Sequence, residues 1–272
     1  MQKYFSSLAV VTNDKHERYI LFSNDNVISK ELFVKQEFDI NKFERTIDIL
    51  NKKIRVKNLY DVGANLGVIC IPAIKRNLVN SAFAVEAEPE NFNLLKANII
   101  LNNLEKKIIA YNFALSEYDD QLLQMELSFD NYGDHRIRKD INFNLMGEES
   151  RKIIKIKSKK FDTIFPKMNP LEDLVWIDTQ GHEADVLSGA NLLIESKVPI
   201  VIEFWPYGLE RNNNWDKMVS ILNRFSHYVD LSESNIKIKE LNEINLEILT
   251  KNFYIESKFK PALFKDLVLL RE

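Results

Sequence analysis

The feature that most constrains this chain is an alternation that starts at residue 58. The runs "NLYDV", "SAFAVEA", "KIIAYNFAL", "EDLVWID" and "PIVIEFW" are short, apolar and of strand length. Between and after them lie "GVICIPAIKRNL", "PENFNLLKANIILNN", "EADVLSGANLLIESK" and "NWDKMVSILNRF", which read as helices. "SHYVDLS", "FYIES" and "DLVLLRE" are expected to finish the sheet. Strands separated by helices predict an α/β fold with a doubly wound, mostly parallel sheet and helices on both faces. In such sheets a ligand binds beyond the carboxyl ends of the strands.

Two stretches depart from the rhythm. Residues 1–57 carry a strand, "RYILFS", and an amphipathic helix, "INKFERTIDILNKK", with Phe43, Ile47 and Leu50 on one face. They read as a cap ahead of a main domain spanning 58–272. Between about 118 and 158, "LLQMELSF" and "KIIKIKS" read as two strands of an inserted hairpin. The polar stretch "DNYGDHRIRKDINFNLMGEES" separates them, and a loop of that length in a compact chain is functional or disordered.

The strand ends carry the chemistry. The first is "LYDVGANLG", which places two of only seven glycines four positions apart, between Asp61 and an apolar helix. Gly63 and Gly67 permit a tight turn and close approach of a ligand, and the following helix offers free N–H groups. A turn with no ligand fits this stretch equally well when it is taken alone. The second strand ends in Glu86, nineteen positions after Gly67, where a carboxylate can accept both ribose hydroxyls. Together these two ends point to an adenosine-containing cofactor. The dinucleotide pattern G-x-G-x-x-G lacks its middle glycine here, because position 65 is Asn. A cationic, phosphate-free cofactor beside Asp61 suits the loop better, which favours S-adenosylmethionine over NAD.

Three further ends are weaker signals. Ala114 and Ser116, after "YNFAL", read as an adenine slot or as an ordinary turn. In "LVWIDTQGHEADVLSGA", Asp178 ends an apolar strand and reads as a cofactor or substrate ligand or a general base. His182 and Glu183 either join it or simply begin the next helix. Glu203, after four apolar residues in "VIEFW", points into the same cleft or pairs with a buried base.

In this order and spacing, "LYDVGANLG", "FAVEAEPENFNLLKAN", "FALSE", "FDTIF", "WIDTQGHEADVLSGA" and "IVIEF" resemble the FkbM family of S-adenosylmethionine-dependent methyltransferases over roughly residues 58–205. The resemblance implies a seven-stranded, Rossmann-like class I methyltransferase fold. It also implies methyl transfer, usually to oxygen, on sugars, glycolipids or polyketide-type acceptors. By position, Asp61, Gly63, Ala64, Asn65 and Gly67 would hold the methionine part of the cofactor. Glu86 and Ala87 would lie at the ribose, and Asp178 near the methyl group. The family often has Glu-Pro where this chain has Glu86-Ala87, Lys where it has Trp176, and Glu where it has Gln180.

Methyl transfer requires an acceptor oxygen about 3 Å from the methyl carbon and in line with its bond to sulfur. An alcohol needs help to lose its proton. Asp178 is the first candidate base and His135, in the polar loop, the second, with His182 a third catalytic candidate. Asn131, Arg136 and Glu203 are the expected substrate contacts, Arg136 being suited to an anionic group. Asp178, His182 and Glu203 match no compact metal motif, so a divalent metal is possible but not favoured. Rival readings are an NAD-dependent sugar oxidoreductase and a non-catalytic binding protein on the same fold.

Composition narrows the partners. A formal net charge of −3 gives no electrostatic case for nucleic acid. The single Cys70, inside "GVICIPAI", reads as a reduced core residue. No signal peptide and no run of about 18 apolar residues is visible, so a cytoplasmic protein with a small-molecule or glycan acceptor is expected. Oligomeric state is not legible.

Overall fold

A computed structural model describes residues 7–139 and 145–271. The chain opens with a hairpin, β1 (Leu8–Thr12) and β2 (Arg18–Phe22), followed by helices α1 (Ile28–Lys35) and α2 (Ile40–Leu50). Then come β3 (Asn58–Val62), α3 (Cys70–Lys75), β4 (Ser81–Val85), α4 (Pro89–Leu101) and β5 (Ile108–Tyr111). The insertion holds β6 (Ala114–Leu115), β7 (Leu122–Leu127), β8 (Arg136–Arg138) and β9 (Lys152–Lys159). Next are α5 (Phe161–Ile164), β10 (Asp173–Ile177), α6 (Glu183–Ser188), α7 (Asn191–Glu195) and β11 (Ile200–Phe204). The chain closes with α8 (Pro206–Arg211), α9 (Trp215–Leu222), β12 (His227–Asp230), β13 (Lys239–Glu240), α10 (Glu243–Glu247), α11 (Phe253–Ser257) and β14 (Lys265–Leu270).

The main sheet runs β13-β12-β14-β11-β10-β3-β4-β5. Strands β5, β4, β3, β10 and β11 are mutually parallel, while β14 enters antiparallel between β11 and β12. Seven of these strands reproduce the class I methyltransferase order, and the two-residue β13 adds an edge. Alternation along the strands feeds two cores: Leu59, Leu174 and Trp176 pack on one face, and Tyr60, Val62, Val175 and Ile177 on the other. Helices α2, α3 and α4 cover the first face, and α5–α9 and α11 the second. Cys70 is a free, fully buried core residue.

Three sequence expectations are corrected. "FYIES" is helix α11, not a strand: Leu249, Phe253 and Ser257 are buried at a spacing of four, a helical period. The run "KIIAYNFAL" divides into β5 and β6, because Asn112 Nδ2 donates to the carbonyls of Glu86 (2.9 Å) and Ala87 (3.2 Å) and turns the chain. "EADVLSGANLLIESK" divides into α6 and α7 at Gly189, where a Cβ would lie 2.1 Å from the Ser116 carbonyl oxygen.

The inserted strands make their own four-stranded sheet, β6-β9-β7-β8, around Ala114, Met125, Ile137 and Ile156. Residues 140–144 of the polar loop lie outside the described residues. Residues before 58 lie against the main domain. Asn98 on α4 and Asn102 just past its end accept from the β2 backbone N–H groups of Ile20 (2.6 Å) and Arg18 (3.0 Å). Among the described residues, no helix is long and apolar enough to cross a membrane.

Candidate active site

A cleft of about 960 Å³, its open mouth included, lies at the carboxyl ends of β3, β4 and β10. Asp61, Gly63, Asn65, Glu86, Ala87, Ala114, His135, Asp178 and His182 all line it. Phe38 and Asp39 from the N-terminal segment and Asp266 from β14 join them.

The loop after β3 is built by backbone geometry. Asn65 adopts φ 50°, a left-handed conformation that Asn tolerates and that stands where a dinucleotide loop has glycine. Its backbone N–H donates to Glu86 Oε2 (2.8 Å), and Glu86 Oε1 accepts from Glu88 N–H (2.8 Å). Glu86 thus ties the two strand-end loops together, and each oxygen keeps a lone pair for a ligand hydroxyl. Burial pushes both Glu86 and Asp61 up to about 7. Asp61 Oδ2 accepts from the Cys70 N–H at 3.2 Å.

The two glycines serve different ends. Gly63 has φ 90°, and a Cβ there would sit 1.8 Å from the Asp178 carbonyl oxygen, so it lets β10 close on β3. Gly67 does not line the cleft; its missing Cβ makes room for Ile71 and Leu95. Ala64 is buried and also off the cleft wall.

Asn91 carries a signal that sequence reading missed. It lines the cleft at 1% exposure, its Nδ2 donates to the Tyr132 carbonyl (2.9 Å), and its Oδ1 is buried with no partner among the described residues. It stands two residues inside α4 behind "EPE", where the residues looked like an ordinary helix start. An orphaned acceptor beside Glu86 fits a hydroxyl- or amine-bearing ligand. Asn65 Nδ2 donates to the same Tyr132 carbonyl at 3.0 Å. The Tyr132 ring stacks on Phe22 at 4.2 Å, and its N–H donates to Asp25 (3.3 Å). The polar insertion loop is thereby fixed over the cofactor loop.

The loop after β10 gathers acids. Gln180 Nε2 donates to Asp178 Oδ1 (2.7 Å) and Glu203 Oε2 (3.1 Å). Glu183 Oε1 accepts from Thr179 N–H (2.8 Å) and Gly181 N–H (3.2 Å), pinning the loop ahead of α6. Burial raises Asp178 to about 6 and Glu183 to about 7, and lifts Glu203 well above the carboxylate range. Glu203 is not on the cleft wall and reaches it through Gln180.

Five expected contacts are corrected. Arg136 is 1% exposed: it pairs with Asp134 and Glu148 and lies 4.6 Å over the Trp205 ring, so it binds no substrate anion. Asn131 is off the cleft, its Oδ1 accepting from Gly133 N–H (3.1 Å). Ser116 is buried behind the wall, 3.1 Å from His182 Nε2. His182 Nδ1 lies 3.0 Å from Asp185 Oδ2, though not aligned as a hydrogen bond, so both ring nitrogens face protein groups. His135 accepts the Ser128 N–H at Nδ1 (3.1 Å), and burial lowers it to about 4. A neutral ring accepting at Nδ1 carries its proton on Nε2, so it offers the cleft a donor, not a base.

Comparison with known proteins decides the family. The FkbM methyltransferase domain matches residues 61–230. The chain belongs to the FkbM methyltransferase family. As an FkbM methyltransferase it takes S-adenosylmethionine as cofactor, and the acids at Asp61 and Glu86 with the orphaned Asn91 Oδ1 fit that cation. A tRNA (guanine(37)-N(1))-methyltransferase from Xenopus tropicalis is 31% identical over 105 residues, which is 34% of this chain and 20% of that relative. Among solved structures, an FkbM methyltransferase from Methylobacillus flagellatus is similar over 61% of this chain and 36% of its own, at 14% identity and TM-score 0.39. An M. jannaschii tRNA m1G37 methyltransferase is similar over 97% and 57%, at 13% identity and TM-score 0.42. The FkbM membership removes the NAD-dependent oxidoreductase reading.

Proposed function

We propose that this methyltransferase O-methylates a hydroxyl of a neutral sugar, glycan or related small molecule. The observation that carries this is the charge of the cleft wall. Among the described residues lining it are Asp39, Asp61, Glu86, Asp178 and Asp266, and no Lys or Arg. A wall without Lys or Arg gives phosphates no cation to pair with, whereas a nucleic-acid site needs cations along the backbone path.

The cofactor supplies a methyl carbon activated by its sulfonium. Asp61 and the loop 63–65 face its cationic end, Glu86 accepts ribose hydroxyls, and Asn91 Oδ1 takes a further donor. Asp178 takes the acceptor's proton at Oδ2, the oxygen that Gln180 leaves free. His135 Nε2–H donates to an acceptor oxygen and orients it. Trp176, Phe38 and Ile28 keep the wall apolar between these groups and limit water. Residues before 58 act as a cap that contributes Phe38 and Asp39.

The test is calorimetry followed by an acceptor screen. S-adenosylhomocysteine should bind, NAD should not, and Glu86→Ala should abolish binding. Labelled methyl transfer is then measured on neutral sugars and on tRNA transcripts. Transfer to tRNA alone would replace the acceptor reading in favour of the chemistry of the Xenopus tropicalis relative. Cofactor binding with no transfer to any acceptor class would favour a non-catalytic binding protein.

A further inference from the structure

We propose that Asp178, Glu183 and Glu203 bind one hard divalent cation, Mg²⁺ or Mn²⁺, in the buried cluster behind the cleft wall that Asp178 and Gln180 form. The three residues come from the end of β10, the start of α6 and β11. Each offers one carboxylate oxygen, and these oxygens lie within 4.8 Å of one another. The set is all oxygen, which suits Mg²⁺ or Mn²⁺ over softer metals.

A separate observation points to a ligand. Glu183 is fully buried, and its carboxylate is turned toward the other two. Its Oε1 is occupied by the Thr179 and Gly181 N–H groups and by Thr179 Oγ1 (3.0 Å), whereas Oε2 is buried with no hydrogen-bond partner among the described residues. A buried carboxylate oxygen without a partner is costly, and a cation removes that cost.

The protein's own groups do not balance the cluster. Gln180 bridges Asp178 and Glu203 through Nε2 but brings no charge. Lys42, the ammonium that acts on Asp178 and Glu203, is held by Asp39 (2.9 Å) and Asp266 (2.8 Å). Protons can neutralise the cluster instead, since burial raises all three carboxyls. That alternative predicts no cation binding at neutral pH. The proposal rests on the placement of these three side chains and not on the identity of the acceptor.

The experiment is a Mn²⁺ titration followed by electron paramagnetic resonance, on the full chain at neutral pH. Wild type, Glu183→Gln, Glu203→Gln and Gln180→Glu are compared, with S-adenosylhomocysteine calorimetry and thermal melting on each. One Mn²⁺ per chain is expected in wild type, weakened at least ~10-fold in the two Gln variants. Gln180→Glu adds a fourth carboxylate and should tighten Mn²⁺ binding, which keeps the test decisive if a Gln variant fails to fold. Wild type that binds S-adenosylhomocysteine but takes no Mn²⁺ at millimolar concentration overturns the proposal. So does Mn²⁺ binding that none of the three substitutions changes. Loss of S-adenosylhomocysteine binding in wild type would instead strike the cofactor reading, and Mn²⁺ occupancy would still report on the cluster.

Discussion

The loops after β3 and β10 follow one plan and use it differently. Each begins with an aspartate at a strand end, Asp61 or Asp178, and each contains a left-handed non-glycine residue, Asn65 (φ 50°) or Gln180 (φ 55°). Each then enters a helix. In the first loop the left-handed residue donates from its backbone, so Glu86 is met by N–H groups at fixed positions. In the second it donates from its side-chain amide, so Asp178 and Glu203 are joined by a flexible group. Rigid backbone suits a cofactor that never changes. A side-chain bridge suits a site whose chemistry depends on protons, cations and the acceptor.

The contrast can be broken most severely at Asp178. Asp178→Asn should lower kcat by about 10²–10⁴-fold, while S-adenosylhomocysteine affinity stays within a few fold. Equal losses in both measurements would merge the two loops into one functional unit. Gly63→Ala comes next, because its Cβ has nowhere to go against the Asp178 carbonyl and its φ is 90°. Urea unfolding should show a loss of at least about 3 kcal/mol, with both sites disturbed at once.

Glu86→Gln tests the first loop alone. It removes charge from two backbone hydrogen bonds and should weaken S-adenosylhomocysteine binding about 10-fold, with kcat at saturating cofactor nearly unchanged. The same variant sharpens a stability difference. The pKa of Glu86 is raised on folding, so its contribution is full below its ordinary value of 4.5 and is lost as pH rises through about 7. The cofactor-free wild type should therefore lose more melting temperature than Glu86→Gln between pH 4.5 and 7.

The smallest effect is the pH profile of turnover. Asp178 must be ionised to accept a proton, so kcat/KM should rise through about pH 6 as the acid cluster titrates. A profile governed by a group near pH 4 would return His135 to the role of base.

The difference between the loops also explains what the sequence made legible. The glycines, the left-handed Asn65 and the strand-end Glu86 are local signals, and they fall where backbone geometry does the work. Arg136 looked like an exposed cation because its partner Glu148 is twelve positions away and its ring contact, Trp205, lies in another layer. Its burial depends on the inserted sheet docking on α8, which no local window reports. Asn91 and Asp266 were hidden for the same reason, one behind a helix start and the other in the antiparallel strand β14. Helix α11 was the exception: its period of four was present in the sequence, and the short apolar run was read as a strand.

The sheet order has a consequence for the making of the protein. Asp266 and its neighbours on β14 slot between β11 and β12 after both have been synthesised. The cofactor loop, more than 190 positions earlier, can take shape while the ribosome is still adding residues. The cleft that Asp266 helps to line is complete only when this late strand threads into place.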